Sequence, residues 1–285
     1  MSRKIRFCKF SQNRTYMLDI IYKEKKMKPI DELTFTDDYM FGHVMQNPDI
    51  CRELLERLLR IQIEKVEFPE LQKAISSFYE TKSIRLDVYV KNSDKIFDIE
   101  IQNRPEINLP KRTRYYQAML DMDHILKGDD YSSLKECYII FLCQFDPFGY
   151  NLPCYTFVNK CAEDKTVILE DKSTKMFFNS TAYEQEENVE ISALLKYIYT
   201  KIPTDDFTSR VNAIVEESKI SEKFRTMYLT MNLHDRDLKL QAFREGEQKK
   251  ALETAKKLLE KNIPVETIAE CTGLSNEEVE KLKDK

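Results

Sequence analysis

The clearest pattern in the chain is a pair of alternating runs. Ile84-Arg85-Leu86-Asp87-Val88-Tyr89-Val90 alternates apolar and polar residues with period two, and Ile96-Phe97-Asp98-Ile99-Glu100-Ile101-Gln102 does so again. Lys91-Asn92-Ser93-Asp94 between them is turn chemistry, so the two runs predict a β-hairpin. Upstream, Thr34–Arg60 predicts two helices. Thr36 or Asp37 would cap the first, with Tyr39, Phe41, Val44 and Met45 on its apolar side. Asn47-Pro48-Asp49 would separate it from the second, whose Leu54, Leu55, Leu58 and Leu59 face inward. Ile61–Phe68 alternates as a strand would.

Beyond the hairpin, Pro110–Lys127 reads as a helix with Tyr115, Met119, Met122 and Leu126 at helical spacing and Gly128 as its C-terminal cap. Glu136–Phe145 is nearly all apolar, as expected of a strand buried on both faces. Tyr155–Asn159 and Thr166–Leu169 suggest further strands. From Val189 the pattern is helical: Glu190–Lys201, then charged amphipathic helices over Thr208–Leu240, then a Lys/Glu-rich helix over Gln241–Lys261. The order helix, strand, strand, strand, helix, strand predicts an α/β core with a mixed central sheet flanked by helices, plus a helical C-terminal region. The expected divisions are an extension at 1–28, a core at 29–185, a helical region at 186–261 and a tail at 262–285. The orderly pattern begins only after Met27-Lys28-Pro29-Ile30, so Met1 and Met27 both stand as candidate starts, with 1–28 expected to be disordered.

Composition narrows the picture. Hydrophobic residues make up 42 % of the chain, enough for a sizeable core. A formal net charge of −4 excludes a uniformly basic nucleic-acid coat, so any nucleic-acid contact must come from local clusters. Seven scattered cysteines without metal-finger spacing, and no secretory signal, favour a reducing, cytoplasmic setting. No stretch is apolar enough to span a membrane.

The candidate chemistry lies on the hairpin. Arg85, Asp87 and Tyr89 share one face of the first strand, and Asp98, Glu100 and Gln102 share one face of the second. A turn over 92–93 or 92–95 sets Asp87 opposite Asp98 or Glu100. Both registers make Asp87 and Glu100 direct or diagonal neighbours, roughly 5–8 Å apart at Cβ. Like charges facing each other in a sheet repel, and three carboxylates on one small face call for a cation. Mg²⁺ suits one or two carboxylates, with water and a substrate phosphate completing its shell. The alternative is a solvated polar face neutralised by Arg85.

The strings Arg85–Val90 and Asp98–Gln102 resemble the D…ExK signature of PD-(D/E)xK nucleases, in the branch whose last position is glutamine. Leu33–Phe41 and Lys111–Gln117 are similar to two further stretches of that branch, which includes the Rpn family of recombination-promoting nucleases described as transposases. The resemblance spans about residues 30–145. It implies a restriction-endonuclease-like core and a Mg²⁺- or Mn²⁺-dependent DNA endonuclease. Asp87 and Glu100 would be metal ligands. Gln102 stands where many relatives carry a lysine; it can orient a water but holds no charge. Asp38 matches an acidic position on the first helix, and would be either an outer metal ligand or an acid favoured by the helix dipole. Lys111, Arg112 and Arg114 would hold the DNA backbone, or else form a solvated basic face. The alternative function is a catalytically weak nuclease fold retained as a DNA-binding or protein-interaction module.

In the tail, Ile263–Ser275 followed by Glu277–Leu282 has the rhythm of a helix-turn-helix, with Gly273 in the turn and Ser275 capping the second helix. That second helix carries Glu277, Glu278 and Glu280, the wrong charge for phosphate. The tail is therefore expected to serve packing or homo-oligomerisation rather than reading of a DNA groove.

Overall fold

The computed structural model describes residues 28–63, 70–75, 84–91 and 94–282, with the side chains of 71, 72, 84, 85 and 232–239 left out. The expected extension at 1–28 falls almost wholly outside the described residues. Among the described residues two compact units emerge: Ile30–Ser221, and a second that includes Glu222 onward.

In the first unit, helix α1 (Asp38–Met45) buries Met40, Phe41, Val44 and Met45. Asp37 occupies its N-cap position, but the Asp37 carboxylate accepts from the backbone and hydroxyl of Thr34 (2.7 and 2.9 Å) rather than capping the helix. Helix α2 (Pro48–Leu59) starts as the sequence dictates: Pro48 sits in the first turn, and Asn47 Oδ1 accepts from the amides of Asp49 and Ile50.

Six strands follow: β1 (Glu70–Ile75), β2 (Ile84–Lys91), β3 (Lys95–Gln102), β4 (Glu136–Cys143), β5 (Cys154–Phe157) and β6 (Ser173–Asn179). They form one mixed sheet in the order β1-β2-β3-β4-β6-β5. β1, β2 and β3 are antiparallel, β3, β4 and β6 are parallel, and β5 returns antiparallel on the edge. Helix α3 (Leu109–His124) makes the crossover between the parallel neighbours β3 and β4. The mixed sheet flanked by helices is the expected fold class.

Some elements differ from expectation. Residues 61–63 are not a strand and 64–69 lie outside the described residues; the first described strand is Glu70–Ile75, a half-polar run on the sheet's edge. Thr166–Leu169 forms only an isolated bridge, Lys160 to Ile168, and the missing strand is Ser173–Asn179. α3 ends at His124, so Gly128 (φ 103°) belongs to the following turn rather than to a helix cap. Its buried stripe is Leu109, Thr113, Tyr116, Met119 and Leu120, whereas Met122 and Leu126 are exposed.

α3 covers one sheet face. Beneath it Tyr89, Ile96, Cys137, Ile139, Phe141 and Phe177 form a core with Leu109, Tyr116 and Leu120. The alternate residues Val88, Val90, Phe97, Ile99, Ile140 and Leu142 point to the opposite face and are buried too. Burial on both faces explains why the central strands read as apolar. Helices α4 (Val189–Thr200) and α5 (Asp206–Ile220) belong to this unit. An ion-pair cluster ties α5 to α2: Arg57 to Asp205 (2.6 Å) and Glu53 (3.2 Å), and Arg210 to Glu53 (2.5 Å).

The second unit holds one continuous helix, α6 (Glu222–Leu259), then α7 (Val265–Thr272) and α8 (Asn276–Glu280). Ala255, Ile268 and Val279 pack together at its centre. Gly273 takes φ 75° between α7 and α8, a conformation that a side chain would strain. Ser275 and Glu278 form a reciprocal capping box. Glu277, Glu278 and Glu280 are exposed on the short helix α8. No described helix is long and apolar enough to cross a membrane.

Candidate active site

The hairpin register decides which carboxylates meet. Val88 pairs with Ile99, Tyr89 with Asp98 and Lys91 with Ile96. The same register continued by one step sets Asp87 directly opposite Glu100. Side-chain bonds lock the pair to the backbone. The Asp87 amide donates to Glu100 Oε1 (2.9 Å), and the Ile101 amide donates to Asp87 Oδ2 (3.2 Å).

Glu100 and Asp98 are fully buried, while Asp87 keeps part of its side chain open to solvent. Neither oxygen of Asp98 has a hydrogen-bond partner in good geometry, and the side chain that eases its charge through hydrogen bonding is another acid, Glu100. Burial and mutual repulsion disfavour the charged forms. Burial, then the charge of Asp98, pushes Glu100 up to about 8, against the pull of Arg112 and the Asp87 amide. Burial, then Glu100 and Asp38, holds Asp87 well above the ordinary carboxylate range. Asp98 is raised likewise, by burial first and by Asp87 next.

Asp38 is the first residue of α1 and is exposed, yet its charge is felt at Asp87, so the two acids lie in one electrostatic neighbourhood. The turn that presents it is held by its neighbours. Asn103 donates to the Thr36 carbonyl (2.7 Å), Lys201 donates to the Thr36 hydroxyl (3.0 Å), and Gln144 donates to Asn103 (2.6 Å).

Gln102 stands at the end of β3 with both ends of its amide engaged. Its Nε2 donates to the Arg104 carbonyl (2.8 Å), and its Oε1 accepts from Arg112 (3.2 Å). Of the three basic residues on the first turns of α3, Lys111 and Arg114 are exposed. Arg112 turns inward instead. It pairs with Glu100 and reaches Glu106 (3.1 Å), and its Nε donates to the Tyr116 hydroxyl (2.8 Å). A signal for this was legible: position 112 falls three residues after Leu109 and four before Tyr116, on the buried stripe of α3. His124, assigned no role from sequence, shares a 2.6 Å hydrogen bond with the Tyr89 hydroxyl, and Lys73 Nζ lies 3.9 Å from that ring's centre.

A mixed sheet with a buried acid pair across a hairpin, and a crossover helix delivering a cation to it, is the frame in which the family match falls. The family model described as PD-(D/E)XK nuclease family transposase matches residues 34–255. The chain belongs to this family. The match takes in Asp38, Asp87, Glu100, Gln102 and the whole of α3. No curated protein and no solved structure matches the chain. PD-(D/E)XK nucleases generally use divalent metals and act on DNA.

The donor set of this site fits such a metal. Every candidate ligand is a hard carboxylate oxygen, and the carboxylates are too crowded to ionise easily together. Among the described residues no group of three or more His, Cys, Asp or Glu side chains forms a ready metal shell. A pair of carboxylates is nonetheless the provision that Mg²⁺ commonly takes, the rest being water and phosphate.

Proposed function

We propose that this protein is a metal-dependent DNA endonuclease whose cleavage promotes recombination or the movement of mobile elements. The observation that carries the reading is the Asp87–Glu100 pair, directly opposed across β2 and β3 and locked to the backbone. Asp87 and Glu100 would hold Mg²⁺ or Mn²⁺, with Asp38 completing the shell from α1. When bound, such a cation supplies charge stabilisation to the phosphodiester under attack. Gln102 would orient the attacking water by hydrogen bonding, since an amide cannot act as a base. Lys111 and Arg114, exposed on the first turns of α3, would hold the DNA backbone; amides at a helix start and basic side chains both suit phosphate.

The test is cleavage of supercoiled plasmid with Mg²⁺, with Mn²⁺ and with EDTA, beside Asp87→Ala and Glu100→Ala. The expected result is metal-dependent nicking that each variant slows by about a thousandfold or more. Absence of cutting by folded wild type with either metal would replace this reading with a nuclease-fold binding module. Cutting that survives both substitutions would place the chemistry elsewhere.

A further inference from the structure

The site contains a fixed cation that the hairpin itself does not supply. Arg112 is about one quarter exposed, and the Glu100 carboxylate it meets is fully buried. Its guanidinium is held on several sides: Glu100 and Glu106 by ion pairs, Tyr116 through Nε, and the rings of Tyr116 and Phe141 at 5.0 and 5.4 Å from Cζ. Phe141 is the β4 neighbour of Glu100 in the parallel register, so the cation is packed against the carboxylate's own flank. A solvated DNA-contacting arginine has no need of such a socket.

The bond to Gln102 has a specific consequence. A guanidinium only donates, so the amide group facing it must be the oxygen. The Arg104 carbonyl only accepts, so the nitrogen must face the other way. Both partners select the same orientation. Arg112 thus turns the Gln102 carbonyl towards the side on which Glu100 lies and leaves that oxygen one lone pair for a water proton.

We propose that Arg112 is the positioning residue that lets glutamine stand at position 102: it neutralises Glu100 and fixes the Gln102 amide with its oxygen turned inward. The charge that a lysine at 102 would bring arrives instead from α3. Arg112 was expected from sequence to hold DNA phosphate; here its action runs through Glu100 and Gln102. The role in catalysis rests on the endonuclease reading, whereas the hold on Glu100 is testable without cleavage.

The experiment measures Mn²⁺ affinity by electron paramagnetic resonance, and steady-state plasmid nicking, for wild type, Arg112→Met and Arg112→Lys. Removing a cation beside the carboxylates should tighten Mn²⁺ binding about tenfold in Arg112→Met. Nicking at saturating DNA should fall about a hundredfold, with KM for DNA changed by less than about threefold. Arg112→Lys should restore wild-type Mn²⁺ affinity yet recover only part of the rate, because an ammonium lacks the fork that reaches Glu100 and Gln102 together. Unchanged or weaker Mn²⁺ binding by Arg112→Met would overturn the proposal, as would a raised KM with kcat intact. Should Arg112→Met fail to fold, Arg112→Lys decides: wild-type nicking by it would overturn the assignment. Tighter Mn²⁺ binding without nicking by wild type would sink the endonuclease reading while upholding the hold of Arg112 on Glu100.

Discussion

Two carboxylate regions of this chain are built in opposite ways. Asp146, just after β4, is ringed by donors: its Oδ1 accepts from the amides of Phe148 and Gly149 and from the Tyr155 hydroxyl (3.0, 2.9 and 2.7 Å), and its Oδ2 from the Asn151 amide (2.6 Å). Burial works against its charge more than any one donor works for it, but the donors together win and its pKa is lowered. Asp98, on β3, is fully buried and has no donor in good geometry at either oxygen; Asp87 and Glu100 beside it are also raised. Asp146 ties down a loop in which Gly149 and Asn151 both take positive φ. The β2–β3 acids cost stability where they stand, which is the expected mark of groups arranged for a ligand rather than for the fold.

The sharpest way to break this contrast is to change the charge balance of the acid site. Gln102→Lys would set an ammonium against the guanidinium of Arg112, which already bonds position 102. Nicking should fall about a hundredfold, although the substitution installs the residue common among relatives. A faster enzyme would mean that Arg112 yields its place readily. Next in size is Asp146→Asn, which removes the charge that four donors serve and sets an NH2 against the Asn151 amide, and should cost about 2 kcal/mol at pH 7 by urea denaturation. The sign follows from the lowered pKa. The contribution is present above the unfolded value of about 3.8 and is lost as pH falls through the lower folded value, so the penalty should persist down to about pH 4 and shrink below it. A penalty independent of pH would show that shape, not charge, holds the loop. Smallest and opposite in sign is Asp98→Asn, expected to stabilise the metal-free protein by about 1 kcal/mol at pH 8. For a raised carboxyl, stability is present at low pH and lost as pH rises, so the advantage of asparagine should grow from pH 5 to 8. Destabilisation by this variant would mean that Asp98 has a structural partner after all.

The hairpin was legible because its signal is local and doubled: two period-two runs and a polar turn, the alternation surviving burial because one face carries the acids Asp87, Asp98 and Glu100. The register was open between two turns, and the pairing of Lys91 with Ile96 settles it in favour of Asp87 facing Glu100. Strands β1 and β6 were harder to read. Glu-Leu-Gln-Lys-Ala-Ile of β1 and Ser-Thr-Lys-Met of β6 carry too many polar residues to announce a strand, because their pairing is decided by neighbours far along the chain. Within the site, Asp87, Glu100 and Gln102 were marked by the strand pattern and the family resemblance. The inward turn of Arg112 was signalled only by its place on the stripe of Leu109 and Tyr116, and its partner was not, because Glu100 is brought beneath the helix by the βαβ crossover. The fixed orientation of the Gln102 amide follows from that same long-range contact.

The claim that the β2–β3 acids form a cation site is tested most directly by melting the protein in EDTA and in Mn²⁺, beside Asp87→Asn/Glu100→Gln. A ligand that binds only the folded state stabilises it. The account predicts that Mn²⁺ raises the wild-type melting temperature by several degrees and leaves the double variant unmoved, and that in EDTA the variant melts no lower than wild type. An equal Mn²⁺ shift in both proteins, or none in the wild type, would contradict it.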